Sequence, residues 1–256
     1  MNAQRVLITN DDGIASEGLR QLAFTAVAAG FRVVVAAPNT DSSGASSSLT
    51  AVQADGRVVM EHRRLDGLDK VPAYGVVATP AYIALLATRG AFGDPPDIVL
   101  SGINHGHNAG QAVLHSGTVG AVLTAAAQGC CGMAVSVAAT KVARWETAAA
   151  AAGELLPWLT AAPPRTALNV NAPDLPAEQV RGRRLATLAS FGAVQTNIAE
   201  VGERFVRVQV ADVNAETEPG TDAALLSDGW VTVTPLRPVC EEDPALLGLL
   251  DTGVRA

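Results

Sequence analysis

Short, unbroken runs of β-branched and small apolar residues, each giving way abruptly to an oxygen-rich turn, constrain this chain more than any other feature. Val6-Leu-Ile8 leads straight into Thr9-Asn-Asp-Asp-Gly13, and Phe31-Arg-Val-Val-Val-Ala-Ala37 into Pro38-Asn-Thr-Asp-Ser-Ser-Gly-Ala-Ser-Ser-Ser-Leu-Thr50. Such continuous apolar runs read as strands buried on both faces. Between them Glu17, Leu19, Leu22, Ala23, Ala26 and Val27 recur at helical spacing up to Gly30, which predicts an amphipathic helix stopped by glycine. Right-handed crossovers set the ends of parallel strands side by side, and ligands bind outside those carboxyl ends.

The alternation continues along the chain. Residues 58–60 and 73–77 predict short strands, and 79–88 a helix with Thr79 as N-cap and Pro80 first. Residues 97–100, 133–138 and 167–171 predict further strands. Helices are expected from Ser116–Thr118 onward and over 145–159, the latter broken by Pro163-Pro164. With 48% hydrophobic but only 4% aromatic residues in 256, the chain suits an α/β fold with a parallel sheet covered on both faces. From Arg181 the periodicity changes: 205–210 and 230–234 alternate like half-exposed strands of a hairpin or edge. Residues 244–251 predict a short apolar helix suited to packing on a second subunit. These shifts divide the chain into an α/β core over 1–180 and an extension over 181–256.

A net charge of −7 excludes broad attachment to nucleic-acid polymers or anionic lipid, which needs clustered Lys and Arg. No apolar run approaches the roughly 18 residues of a membrane span. The first residues run directly into a strand, leaving no room for a signal peptide. Three cysteines, two of them adjacent at Cys130-Cys131, form neither a disulfide framework nor a spaced zinc motif. They read as reduced core residues of a cytoplasmic protein.

Three strand ends carry the chemistry: Asp11 and Asp12, the Ser42-Ser43 loop, and Asn104 in Ser101-Gly-Ile-Asn-His-Gly-His-Asn-Ala-Gly110. Adjacent carboxylates repel unless a cation lies between them; otherwise they cap the helix that follows. Carboxylate, hydroxyl and amide oxygens are hard donors suited to Mg²⁺ or Mn²⁺, and such an ion promotes attack of water on a phosphate ester. The turn Ser116-Gly-Thr118 either cradles phosphate at a helix N-terminus or simply caps the helix. The glycines at 102, 106 and 110 do not fit a dinucleotide fingerprint. His105, His107 and His115 suggest zinc only weakly, since the nearer two alternate in a glycine loop. His105 or His107 can instead serve as an acid for the leaving oxygen, or be solvated.

Taken together, Asn10-Asp-Asp-Gly-Ile14, Ser43-Gly-Ala-Ser46 with Ser48-Leu-Thr50, the 101–110 segment and Ser116-Gly-Thr-Val119 resemble the SurE family, the survival-protein nucleotidases. Asn169-Val-Asn-Ala-Pro-Asp-Leu-Pro176 and Gly220-Thr-Asp222, followed by Gly229-Trp-Val-Thr-Val-Thr-Pro235, match its later landmarks. The resemblance implies a Rossmann-like, mostly parallel α/β core with a C-terminal β-hairpin and helix extension exchanged between subunits of a homodimer or homotetramer. It also implies metal-dependent dephosphorylation of nucleoside monophosphates at the 5′ or 3′ position. By the same resemblance the metal ligands, one Mg²⁺ or Mn²⁺ per subunit, fall on Asp11, Asp12, Ser43 and Asn104, and the phosphate contacts on Asn108, Ser116, Gly117 and Thr118. Asp11 would orient or deprotonate the attacking water. Two other outcomes stand beside this one: an aspartyl-phosphate on Asp11, although the Asp-x-Asp spacing of such phosphatases is absent, and a degenerate relative that binds nucleotide or metal without turnover. The chain departs from the family at Asn39-Thr40, Ala78, His115, Gln128 and 185–190, away from the ligand set.

Overall fold

In the computed structural model the described residues are 3–51, 53–139, 143–190, 194–202, 205–212 and 218–240. Strand β1 (Arg5–Thr9) is followed by α1 (Glu17–Ala28) and β2 (Arg32–Pro38), which returns parallel to β1 with Val6 opposite Val33. Ser16 caps α1 by accepting the Leu19 N–H, and Leu19, Leu22, Ala23 and Ala26 form its buried stripe. A two-stranded ribbon of β3 (Gln53–Ala54) and β4 (Arg57–Val58) precedes β5 (Met60–Arg63), antiparallel to β6 (Ala73–Val76). Next come α2 (Pro80–Thr88), β7 (Ile98–His105), a 3-10 turn (Gly110–His115), α3 (Gly117–Ala127), β8 (Cys131–Val137), α4 (Trp145–Ala161) and β9 (Ala167–Ala172). The later elements are β10 (Arg183–Leu185), β11 (Val194–Val201), β12 (Val206–Asp212), α5 (Asp222–Ser227) and β13 (Val231–Leu236).

Nine strands form one mostly parallel sheet in the order β10-β13-β9-β8-β7-β1-β2-β6-β5. From β1 the chain builds outward in one direction through β2 and β6, and from β7 in the other through β8 and β9, so the order reverses between β1 and β7. That reversal opens a crevice at the carboxyl ends of the central strands. Helices α1 and α4 cover one face, over a core that includes Leu22, Ile98, Leu100, Met133 and Leu156; α2 and α3 cover the other, over Leu7, Ile83, Val99 and Val122.

The sheet carries a polar pattern on the α3 face. One transverse row runs Thr9, Ser101, Ala134, Asn169 and Thr234 across β1, β7, β8, β9 and β13; a second runs Asn104, Ser136, Asn171 and Thr232. These side chains lie toward the strand ends that bear the acidic pair.

Several sequence expectations are corrected or bounded. The alternating segment 230–234 is not half-exposed: Val231 through Thr234 are buried, because Val231 and Val233 join the core beneath α4 while Thr232 and Thr234 lie on the covered α3 face of the sheet. Segment 205–210 does join a hairpin, with β11 as its partner. Thr79 precedes α2 without capping it by its side chain; its hydroxyl bonds instead to the Ser48 carbonyl at 2.5 Å. Cys131 is buried and Cys130 half-buried, but Cys240 is exposed, so not all three thiols are core residues. The expected helix over 244–251 lies outside the described residues.

Candidate metal and phosphate site

The turn after β1 is set by its own side chains. The Asn10 Oδ1 accepts the Gly13 N–H at 3.2 Å, and its Nδ2 donates to the Ser16 hydroxyl at 2.6 Å. Gly13 takes a left-handed φ of 98°, which a side chain would resist, and Ile14 N–H then reaches the Pro38 carbonyl at 2.8 Å. Asp11 and Asp12 are thereby held at the β1 end of the crevice.

Asp11 is buried. Thr118, wholly buried at the start of α3, donates both its hydroxyl and its backbone N–H to that carboxylate. A Cβ placed on Gly117 would lie 2.8 Å from Asp11 Oδ2, so glycine there is what lets the helix N-terminus close on the carboxylate. Burial raises the Asp11 pKa, against the lowering effect of the Thr118 hydroxyl. Asp12 is pushed up to about 6, first by burial and then by the neighbouring Asp11 charge, with the His105 backbone N–H opposing. Its Oδ2 is buried and has no hydrogen-bond partner among the described residues. A buried carboxylate beside a half-buried one, with one buried oxygen orphaned, is a site short of positive charge.

The hydroxyl loop after β2 is tethered to this turn, since Ser42 N–H donates to the Asp11 carbonyl at 2.7 Å. Asp41 accepts the Ser43 N–H at 2.7 Å and the Ser43 hydroxyl at 2.6 Å, which holds the Asp41 carboxyl below the usual range and makes it a turn-former. Further on, Ser46 bonds the 3-10 turn through its N–H to His115 O (3.3 Å) and its hydroxyl to Leu114 O (2.7 Å). Its carbonyl lies 2.3 Å from where a Cβ on Gly120 would stand, so the loop lies directly on α3.

From β7, Asn104 donates its Nδ2 to Gly106 O at 2.7 Å. The His105 ring packs on Trp145 with centroids 5.9 Å apart, and His107 is partly buried in the loop beyond. Asn108 places its Nδ2 on the Ser136 hydroxyl at 3.0 Å. Ser116 caps α3 by accepting the Val119 N–H at 3.1 Å. The hydroxyls of Ser116 and Thr118 thus both have protein partners, while Gly117 is shaped by Asp11. His115 is exposed and bonded to the hydroxyl loop through its carbonyl; no group of three His, Cys, Asp or Glu able to hold a metal occurs among the described residues. Gln128 ends α3, about 15 Å of helix from Thr118, and pairs with Arg89, which separates that departure from the site.

A family model described as Survival protein SurE matches residues 6–193. Over 237 residues the chain is 37% identical to a 5′-nucleotidase SurE of Legionella pneumophila subsp. pneumophila (strain Philadelphia 1), covering 91% of this chain and 90% of that protein. The chain belongs to the SurE family. The 5′-nucleotidase SurE of Actinobacillus pleuropneumoniae serotype 5b is 34% identical over 259 residues, covering 96% of this chain and 99% of that SurE. The crystal structure of SurE protein from Aquifex aeolicus superposes with a TM-score of 0.79 at 28% identity, covering 96% of this chain and all of that one. Sequence reasoning missed two residues beside the site, Asn171 and Asp222, although both lie in segments that resemble SurE landmarks.

Proposed function

We propose that this chain is a divalent-metal-dependent phosphomonoesterase that hydrolyses nucleoside monophosphates to nucleoside and phosphate, a 5′/3′-nucleotidase. The observation that carries the reading is the acidic pair at the point where the strand order reverses: two adjacent carboxylates raised by burial, with Asp12 Oδ2 left without a partner among the described residues. Curated relatives named 5′-nucleotidase SurE support the substrate class.

A hard cation fits this donor set. Asp11, Asp12, Ser43 and Asn104 would hold one Mg²⁺ or Mn²⁺ per subunit, supplying positive charge for the phosphoryl oxygens and for activation of water. Around it the chain's own groups divide the work. Thr118 fixes the rotamer of Asp11, leaving that carboxylate to orient the attacking water. Asn108, Ser116, Gly117 and Thr118 form the phosphate side, where the α3 N-terminus adds the favourable end of its dipole. His105 or His107 gives a proton to the departing oxygen. An aspartyl-phosphate on Asp11 is disfavoured, because Thr118 engages Oδ1 and the Asp-x-Asp spacing of phosphatases that form one is absent.

The β11–β12 hairpin supports an exchanged C-terminal extension. Among the described residues its strands pack chiefly on one another, with Phe205 and Val206 half-exposed. A lone hairpin is marginal in water, so a neighbouring subunit of a homodimer or homotetramer would complete it. On this reading 1–180 is the catalytic core, and 181–256 is an extension that packs on the core, with β10 and β13 in its sheet, and on a partner subunit. No helix among the described residues is long and apolar enough to cross a membrane. Unpaired thiols suit a reducing cytoplasm.

Phosphate release from a panel of nucleoside 5′- and 3′-monophosphates, with Mg²⁺, Mn²⁺ or EDTA, tests the reading. Turnover with metal and its loss in EDTA are expected. Asp11→Asn and Asp12→Asn should each lower kcat by about a thousandfold while the protein still melts cooperatively. Near-native turnover in either variant, or none from any nucleotide with either metal, refutes it.

A further inference from the structure

Two landmarks of the sequence, Asn169-Val-Asn171 and Gly220-Thr-Asp222, contain none of the residues assigned to the metal or the phosphate, yet both converge on one stretch of backbone. Asn171, fully buried on β9, turns its whole amide on Asn108: Oδ1 accepts the Asn108 N–H at 2.8 Å and Nδ2 donates to the Asn108 carbonyl at 3.0 Å. Asn169 donates to the same carbonyl at 2.7 Å. Two residues on, the Gly110 N–H donates to Asp222 Oδ2 at 2.9 Å. The other oxygen of Asp222 accepts the N–H groups of Ala189 (3.0 Å) and Ala223 (2.8 Å). Asp222 is wholly buried, and among the described residues its carboxylate enters no ion pair; backbone N–H groups from three segments satisfy it instead.

Residues 107–109 belong to no helix or strand. Their course is therefore set by side chains reaching in from β9 and α5, not by a ladder of their own. A two-bond amide clamp on Asn108 fixes the peptide units on both sides of its Cα, and the Asp222 bond fixes the start of the 3-10 turn that delivers Ser116 and α3.

We propose that Asn171 and Asp222 are positioning residues for phosphate binding, holding the 108–110 backbone so that the Asn108 side chain meets the substrate's phosphate. This rests on the assignment of Asn108 as a phosphate contact. It makes the segment around α5 a working part of the site although it touches no substrate.

The experiment measures KM, kcat, the Ki of inorganic phosphate and Mn²⁺ affinity by electron paramagnetic resonance. It compares the full-length chain with Asn108→Ala, Asn171→Ala, Asp222→Asn and the double variant Asn108→Ala with Asn171→Ala. Asn108→Ala should raise Ki by about tenfold, the loss of one hydrogen bond to a charged group. Asn171→Ala and Asp222→Asn should raise Ki and KM by a similar factor, with Mn²⁺ affinity within about threefold of wild type. The double variant should be no worse than the weaker single one, since both changes remove the same contact. Should Asn171→Ala fail to fold, Asn171→Leu keeps the branched shape and the same number of side-chain heavy atoms while removing both bonds; the same rise in Ki is expected. A wild-type Ki in the Asn171 variants beside a raised Ki in Asn108→Ala overturns the positioning role and leaves the Asn108 assignment standing. Effects that multiply in the double variant overturn it as well. A wild-type Ki in Asn108→Ala removes the assignment and the proposal with it.

Discussion

Asp12 stands where burial and a second carboxylate both oppose its charge, and that has a measurable consequence for stability. Its carboxyl titrates at about 6 in the folded chain against an ordinary 3.8, so between those values the folded state holds more protons than the unfolded one. The contribution of Asp12 to stability is therefore full below the lower value and is lost as pH rises through the higher one. In EDTA, Asp12→Asn should melt above wild type at about pH 8 and level with it near pH ~4, read by differential scanning fluorimetry. A variant that melts below wild type at the higher pH would contradict the burial of an uncompensated charge. Asp11 and Asp12 were legible from sequence because two acids directly after an apolar run need only local reasoning. Asn171 and Asp222 were not: an Asn in a strand and an Asp in the first turn of a helix each have an ordinary local explanation, and their targets lie 63 and 112 positions away.

Between elements, the contact that matters most for the site is that of the hydroxyl loop with α3. The Ser46 carbonyl lies where a Gly120 side chain would be, so Gly120→Ala forces backbone apart rather than a flexible side chain. Overpacking of this kind should destabilise by about 1–3 kcal/mol in urea and weaken metal binding, because Ser43 travels with the displaced loop. Unchanged metal affinity in a destabilised Gly120→Ala protein would detach that loop from the metal site. The helices and parallel strands of the first 172 residues could be read from period and glycine stops. The placement of β13 could not, because its alternating Val and Thr residues look amphipathic while both of its faces are covered in the fold. Thr232 and Thr234 join the polar rows through Asn171 and Asn169, a match visible only once the register across β9 is known.

For the whole molecule, the hairpin among the described residues packs chiefly on itself. Sedimentation velocity should find a dimer or tetramer, and removal of 194–212 with a short Gly-Ser bridge should yield monomers that still bind Mn²⁺. A variant lacking the hairpin that keeps the native assembly would assign the contact to another surface. The order of strands has a further consequence, in time rather than space. β10 is made before β13 yet reaches the sheet only through it, and the carboxylate that secures Gly110 is synthesised within the same late stretch. While it is still on the ribosome, a nascent chain can assemble the crevice with its acidic pair and clamp Asn108 from β9, but the Gly110 end of the loop that greets phosphate waits for a carboxylate made only at residue 222, so competence is among the last properties the polypeptide acquires.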